Sequence, residues 1–278
     1  MDRRPSLCRA ALALVVLLGT TAVSGQDEVP FITTPDQVTL AMLELAGVTA
    51  ADRLVDLGSG DGRIVITAAR RFGARGLGVE IVPALVQESR ASARAAGVQA
   101  RVEFREQDLF ATDLAGATVV TMYLLPAVNL QLRPRLLALP PGTRIVSHDW
   151  DLGDWKPDRS VTIEVPEKAV GREKRSNVHL WRVPALVHGL WCAPAAGLEV
   201  TQRFQHFSAS LSVPGSAAPL AVVDGRIDGR RLEAAGTQAV SFELDGDRLR
   251  LVPGAGGAVS PWPAAAAFTR AVDGRCPA

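Results

Sequence analysis

The run Asp56-Leu57-Gly58-Ser59-Gly60-Asp61-Gly62-Arg63 constrains this chain more than any other stretch. A short apolar run, residues 53–57, enters it, and a helical pattern, residues 64–72, leaves it. Glycines at alternate positions let a backbone turn sharply and come close to a ligand. The helix that follows offers unpaired N–H groups at its start. The spacing is Gly-x-Gly-x-Gly rather than Gly-x-Gly-x-x-Gly, and Arg63 stands where a dinucleotide fingerprint takes a small residue. The carboxylate of Asp56, just before the loop, repels a pyrophosphate and attracts an ammonium group. A nicotinamide-dependent dehydrogenase is therefore disfavoured.

The loop sits in an alternating series. A helix is expected from Pro35-Asp36, with Val38, Met42, Leu45 and Ala46 on one face and Gly47 at its end. Strands are expected at residues 53–57, 76–80, 101–104, 118–123 and 143–148, with helices at 64–72, 83–96 and 130–139 between them. This rhythm predicts a parallel sheet covered on both faces. After residue 150 it changes: residues 160–165 and 177–183 alternate in polarity and read as an antiparallel pair closing the sheet.

Beyond Pro184 the helical pattern stops. Short runs at 198–200, 204–211, 220–223, 225–232, 239–244 and 248–252 are separated by turn signals, among them Asp224-Gly225, Asp228-Gly229 and Asp245-Gly246. Residues 185–278 read as a small all-β domain, with Trp191 and Trp262 placed to share its core. The segment Arg203-Phe204-Gln205-His206-Phe207 is read as an alternating strand of core aromatics, with ligand binding as the other reading.

Two more carboxylates follow successive strands. Glu80, at the end of the second, is placed to accept ribose hydroxyls. Asp108, after the third, is placed to reach an adenine amino group. With these residues in hand, 35–184 resembles a class I S-adenosylmethionine-dependent methyltransferase. It is similar above all to the small lysine methyltransferases related to the ATP synthase c-subunit lysine methyltransferase. Pro35, the loop 56–62 with Arg63-Ile64-Val65, Gly78-Val79-Glu80, Asp108-Leu109 and Tyr123-Leu124-Leu125-Pro126 carry the likeness. The resemblance implies a Rossmann-like methyltransferase sheet and S-adenosyl-L-methionine as cofactor. It implies that Asp56, Gly58 and Gly60 hold the methionine part, Glu80 the ribose and Asp108 the adenine, with Ser59 and Gly62 of the same loop also counted among the cofactor-binding residues.

The acceptor side is less constrained. Met122-Tyr123-Leu124-Leu125-Pro126 replaces the Asn/Asp-Pro-Pro-Tyr of DNA and glutamine N-methylating enzymes, so those substrates are disfavoured. Tyr123 and His148 are the candidate catalytic residues. Tyr123 would line the transfer site, and His148 would take a proton from an amine; structural roles for both are the other reading. Gly153-Asp154-Trp155-Lys156-Pro157 is read as a connecting loop, or as a cap over the substrate entrance. The expected function is N-methylation of a protein lysine or a small amine. An exported, non-catalytic binding protein that uses the β domain is the alternative.

A net charge of +1 supplies no field for nucleic acid. Arg greatly outnumbers Lys, which is read as a compositional bias. Arg3, Arg4 and Arg9 precede an apolar run, residues 10–18, and the small residues Ala22-Val23-Ser24-Gly25. Residues 1–25 thus form a secretory signal pattern, shorter than the roughly 20 residues of a membrane span. Export to the periplasm or retention as a membrane anchor is expected, with a cytoplasm-facing location also open. Cys192 and Cys276 either pair or remain one buried and one free thiol; neither has metal-ligand spacing.

Overall fold

The computed structural model describes residues 32–168, 173–252, 262 and 267–276. The signal segment lies outside these residues. No helix among the described residues is long and apolar enough to cross a membrane.

Helix α1 (Asp36–Leu45) buries Val38, Thr39, Met42 and Leu43. The expected inward face holds, with Val38, Met42 and Ala46 buried and Leu45 packed partly buried against the same cluster; Thr39 and Leu43 widen it. A mixed sheet follows, built from β1 (Arg53–Leu57), β2 (Arg75–Glu80), β3 (Val102–Glu106), β4 (Val119–Met122), β5 (Arg144–His148), β6 (Arg159–Glu164) and β7 (Arg175–Arg182). The order is β3-β2-β1-β4-β5-β7-β6. The first five strands run parallel, β7 runs antiparallel to β5, and β6 antiparallel to β7. Helices α2 (Arg63–Phe72), α3 (Pro83–Ala95) and α4 (Pro126–Leu137) make the crossovers.

Strands β1 and β4 are buried nearly throughout, as central parallel strands must be. One apolar cluster, with Val38, Met42, Leu54 and Val119, fills one part of the domain; another, with Leu57, Met122, Leu132 and Trp181, fills a second. Helix α4 begins four residues before the expected start, at Pro126, a residue suited to the first helical turn.

The C-terminal part is a closed barrel of eight antiparallel strands: β8 (Gly189–Ala193), β9 (Ala196–Arg203), β10 (His206–Ser212), β11 (Ala221–Asp228), β12 (Arg231–Ala234), β13 (Val240–Asp245), β14 (Arg248–Leu251) and β15 (Ala267–Arg270). Each strand pairs with the next, and β15 pairs back onto β8. Closure removes both sheet edges. Trp191, Phe242, Phe268 and Trp262 pack in the interior, so the two tryptophans do share a core. Cys192 and Cys276 form a disulfide with a Cα separation of 5.3 Å, tying β8 to the end of the chain.

Two local readings are corrected. Asp224-Gly225 is not a turn: β11 runs straight through it. A side chain at Gly225 would sit 2.2 Å from the Glu233 carbonyl and 2.6 Å from Phe207, so the glycine permits close strand approach instead. Phe204-Gln205 does not lie in a strand but forms the β9–β10 turn, with Phe204 at φ +52°.

That turn docks on the mixed sheet. Phe204 stacks on Trp155 with ring centroids 6.2 Å apart, and Gln205 donates to the Lys156 carbonyl at 2.7 Å. Arg226 pairs with Asp158, and the Ala185 N–H donates to the Gly229 carbonyl. Trp155 is fully buried and its carbonyl accepts from Trp181 Nε1. The segment expected as a connecting loop or substrate cap is thus the seat of the barrel.

Candidate active site

The carboxyl edge of the parallel strands gathers the residues singled out from the sequence. Asp56, at the end of β1, is 2% exposed, and its Oδ1 accepts from Thr121 Oγ1 on the neighbouring β4 at 2.7 Å. Burial pushes its carboxyl up to about 7; the Thr121 bond opposes the shift, and the nearby Asp61 and Glu80 add to it.

The loop then turns through three left-handed glycines, Gly58, Gly60 and Gly62, at φ +74°, +52° and +80°. The Gly58 and Ser59 N–H groups both donate to the Val79 carbonyl of β2. A side chain at Gly62 would lie 2.6 Å from Phe104, and one at Gly58 would lie 2.9 Å from Leu124. Conformation favours glycine at both positions, and at Gly62 the packing against Phe104 and Ser89 leaves no space for a side chain as well.

Glu80 closes over the loop. Its Oε2 accepts from the Gly60 N–H at 2.9 Å, and its Oε1 accepts from the N–H groups of Ile81 and Val82. The Gln107 N–H donates to the Glu80 carbonyl, which brings the ends of β2 and β3 together. Asp108 beyond β3 is exposed, and its Oδ1 caps the short turn Leu109–Ala111 through the Phe110 N–H.

Arg63 has a structural task. It binds Asp61 through both carboxylate oxygens and donates to the Thr34 carbonyl at 2.9 Å. This pins the segment before α1 against the loop.

On the other side of Asp56, Leu124 abuts Gly58, so the end of β4 borders the loop. There Tyr123 lies over the His148 ring, with centroids 3.9 Å apart and an angle of 31°. His148 is 1% exposed and both of its nitrogens face hydroxyls: Nδ1 is 3.2 Å from Thr34 Oγ1, and Nε2 is 2.9 Å from Ser176 Oγ. Burial pushes it down to about 4; Asp149 opposes the shift and Lys168 adds to it. This geometry does not favour the proton-accepting role expected for His148: the ring is neutral, enclosed and already engaged. Burial, together with the Coulombic and hydrogen-bonding effect of Asp149, raises the Tyr123 phenol.

The residue that sequence reasoning passed over is Asp149. It adopts φ +61°, a conformation that Asp tolerates better than most residues. Its Oδ1 accepts from the Asn177 N–H at 2.9 Å, and its Oδ2 accepts from Lys168 Nζ at 2.7 Å. Only its place at the end of β5, directly after His148, could have marked it in the sequence. Asn129 of α4 holds the following turn by donating to the Trp150 carbonyl, and Arg133 binds the Leu152 carbonyl and Asp154. A groove of about 620 Å³ lined by Leu114, Pro140, Pro141 and Leu244 involves residues that precede β4 and β5. It therefore lies at the opposite, amino edge of the sheet.

The site residues suit a donor with an ammonium and a ribose. Asp56 is a buried carboxylate with no cationic partner among the described residues, and Ser59 Oγ is buried without any partner among them. Comparison with known proteins agrees. The ANTKMT methyltransferase domain family matches residues 56–159. A protein-lysine N-methyltransferase of Saccharolobus islandicus is 43% identical over 144 residues, 51% of this chain and 89% of that protein. The mouse adenine nucleotide translocase lysine N-methyltransferase is 42% identical over 38% of this chain and 46% of its own length. A solved structure described as an RNA methyltransferase from Salinibacter ruber, in complex with S-adenosyl-L-homocysteine, is 52% identical. It covers 56% of this chain and 96% of its own, with a TM-score of 0.52.

Fold and likeness together define an S-adenosylmethionine-dependent methyltransferase. The chain belongs to the protein-lysine N-methyltransferase family that includes the ATP synthase c-subunit lysine methyltransferases.

Proposed function

We propose that this chain methylates the ε-amino group of lysine in a protein substrate. The observation that carries the reading is the cluster of Tyr123, His148 and Asp149 beside the donor loop: its carboxylate already receives a lysine ammonium. Asp56 would hold the donor's α-ammonium, Gly58, Ser59, Gly60 and Gly62 its methionine part, Glu80 the ribose hydroxyls and Asp108 the adenine amino group. S-adenosylmethionine supplies a methyl group on a sulfonium, which needs a positioned neutral amine and little else.

Asp149 would orient the incoming ammonium and accept its proton. The half-buried Tyr123 ring would wall the amine from water, and an apolar wall favours the neutral, nucleophilic form. His148 would act as a positioning residue that fixes the Tyr123 ring.

The likeness to a protein described as an RNA methyltransferase favours one competing reading, with RNA as acceptor. A net charge of +1 and a carboxylate, Asp149, that already pairs with a lysine ammonium speak for lysine instead. Incubation with labelled donor, a lysine-containing protein extract and total RNA separates the two. Label in protein, lost in Asp149→Ala, supports lysine; label confined to RNA overturns it.

The export reading of residues 1–25 is part of this proposal. The Cys192–Cys276 disulfide supports it, because such bonds persist in oxidising compartments. The mature N-terminus and the cellular fraction that carries it test the assignment.

A further inference from the structure

The chain contains only three lysines, Lys156, Lys168 and Lys174, among thirty basic residues. All three lie near the carboxyl end of β5. Lys156 is 3.7 Å from Asp151, Lys174 donates to the Lys168 carbonyl, and Lys168 enters the acceptor cluster itself. Its Nζ donates to Asp149 Oδ2 at 2.7 Å and to the Arg175 carbonyl at 2.6 Å. Its side chain is 13% exposed, so most of its stem lies inside the protein.

We propose that Lys168 is a self-methylation site of this enzyme, occupying in cis the place of the substrate lysine. This rests on the lysine-methyltransferase reading above. Three observations support it. Lys168 Nζ is bound to the carboxylate that also contacts Tyr123 and lies 3.6 Å from His148 Nε2. The end of β4 carrying Tyr123 borders the glycine loop through the Leu124–Gly58 contact. In a chain whose cations are overwhelmingly arginine, the ion pair at this position is made by lysine, the one basic side chain with a methylatable primary amine.

In the step, one Nζ proton passes to Asp149 Oδ2 and on to water. The Nζ lone pair then bonds to the donor methyl carbon, and the methyl–sulfur bond breaks with its electron pair left on sulfur. The products are methyl-lysine, S-adenosylhomocysteine and a proton. Full methylation leaves Nζ without an N–H, so both hydrogen bonds of Lys168 are lost. The charge remains on Nζ, so the Coulombic attraction to Asp149 persists without those hydrogen bonds.

The test is the mass of the chain itself. Peptide mapping is applied to the full chain as isolated and after incubation with labelled donor, at two enzyme concentrations, with a lysine-containing protein as external acceptor. The expected result is methylation at Lys168, to a fraction that does not change on dilution. It should be absent in Lys168→Arg, which keeps the ion pair, and retained in Lys156→Arg and Lys174→Arg. Label on the external protein with Lys168 unmodified, or label confined to Lys156 or Lys174, overturns the inference and leaves the function standing. Transfer to no lysine at all overturns both.

Discussion

The mixed sheet and the barrel are both built on β-strands, but they treat buried polar groups differently. Among the described residues, the buried side-chain atoms without a partner are Thr39 Oγ1, Ser59 Oγ, Asn129 Oδ1 and Trp155 Nε1. All belong to the sheet domain, and Ser59 belongs to the donor loop. The same domain holds a buried carboxylate, Asp56, away from its preferred charge state. The barrel instead packs Trp191, Phe242 and Phe268 inside, closes by strand pairing and is braced by a disulfide. Unmet polar groups carry a cost that a fold tolerates where a ligand will meet them. The sheet edge is thus arranged for chemistry and the barrel for holding its shape, and the contacts of Phe204 and Gln205 carry that rigidity to the turn after β5.

The sharpest way to break this contrast is to cut the covalent tie that braces the barrel. The disulfide closes a separation of 84 residues, and a constraint of that length is worth about 4 to 5 kcal/mol in a chain-entropy description. Cys192→Ser with Cys276→Ser should lower the chemical-denaturation stability of the barrel by that order. Donor affinity, measured on the folded protein, should stay unchanged. A matching loss of donor affinity would mean that the two regions are not divided as described.

The next effect concerns the sheet edge alone. The Asp56 carboxyl is raised in the folded protein from 3.8 to about 7. The fold therefore favours the protonated form, and that contribution is present at low pH and lost as pH rises from 3.8 through 7. The shift corresponds to about 4 kcal/mol, as an order of magnitude. Asp56→Asn keeps an acceptor for Thr121 and removes the charge. It should raise the melting temperature of the donor-free protein at pH 8 and leave it little changed at pH 4. Equal shifts at both pH values would place the strain elsewhere.

Much of this sheet was legible in the sequence. Its strands and helices are local, each set by an apolar run, a glycine or a proline, and the carboxylates at the ends of β1 and β2 fall where the motif spacing puts them. The barrel was legible only as a class. Strand β8 is five residues, with Trp191 and Cys192 both buried, so it lacks the alternation that marks a strand. Gly225 resembles a turn glycine, and only the partner strand across from it shows that it serves close packing. The roles of His148 and Asp149 were not separable by sequence either. Which of two adjacent residues points into the core depends on Thr34 and Ser176, far away along the chain.

The smallest expected effect probes the link between the regions. Phe204→Ala removes the stacking on Trp155 and the Arg133 contact, worth about 1 kcal/mol. Donor affinity should not change, while the acceptor KM should rise a few-fold through a looser turn after β5. An unchanged KM would reduce the barrel to a neighbour without influence on the site.

The central claim is that the donor is held by Asp56, the loop that follows it and Glu80. Calorimetric titration of S-adenosylmethionine into the parent chain, Asp56→Ala and Glu80→Ala tests it directly. The account predicts measurable binding to the parent and at least a tenfold loss, about 1.4 kcal/mol, in each variant. Unchanged affinity in both variants would contradict it.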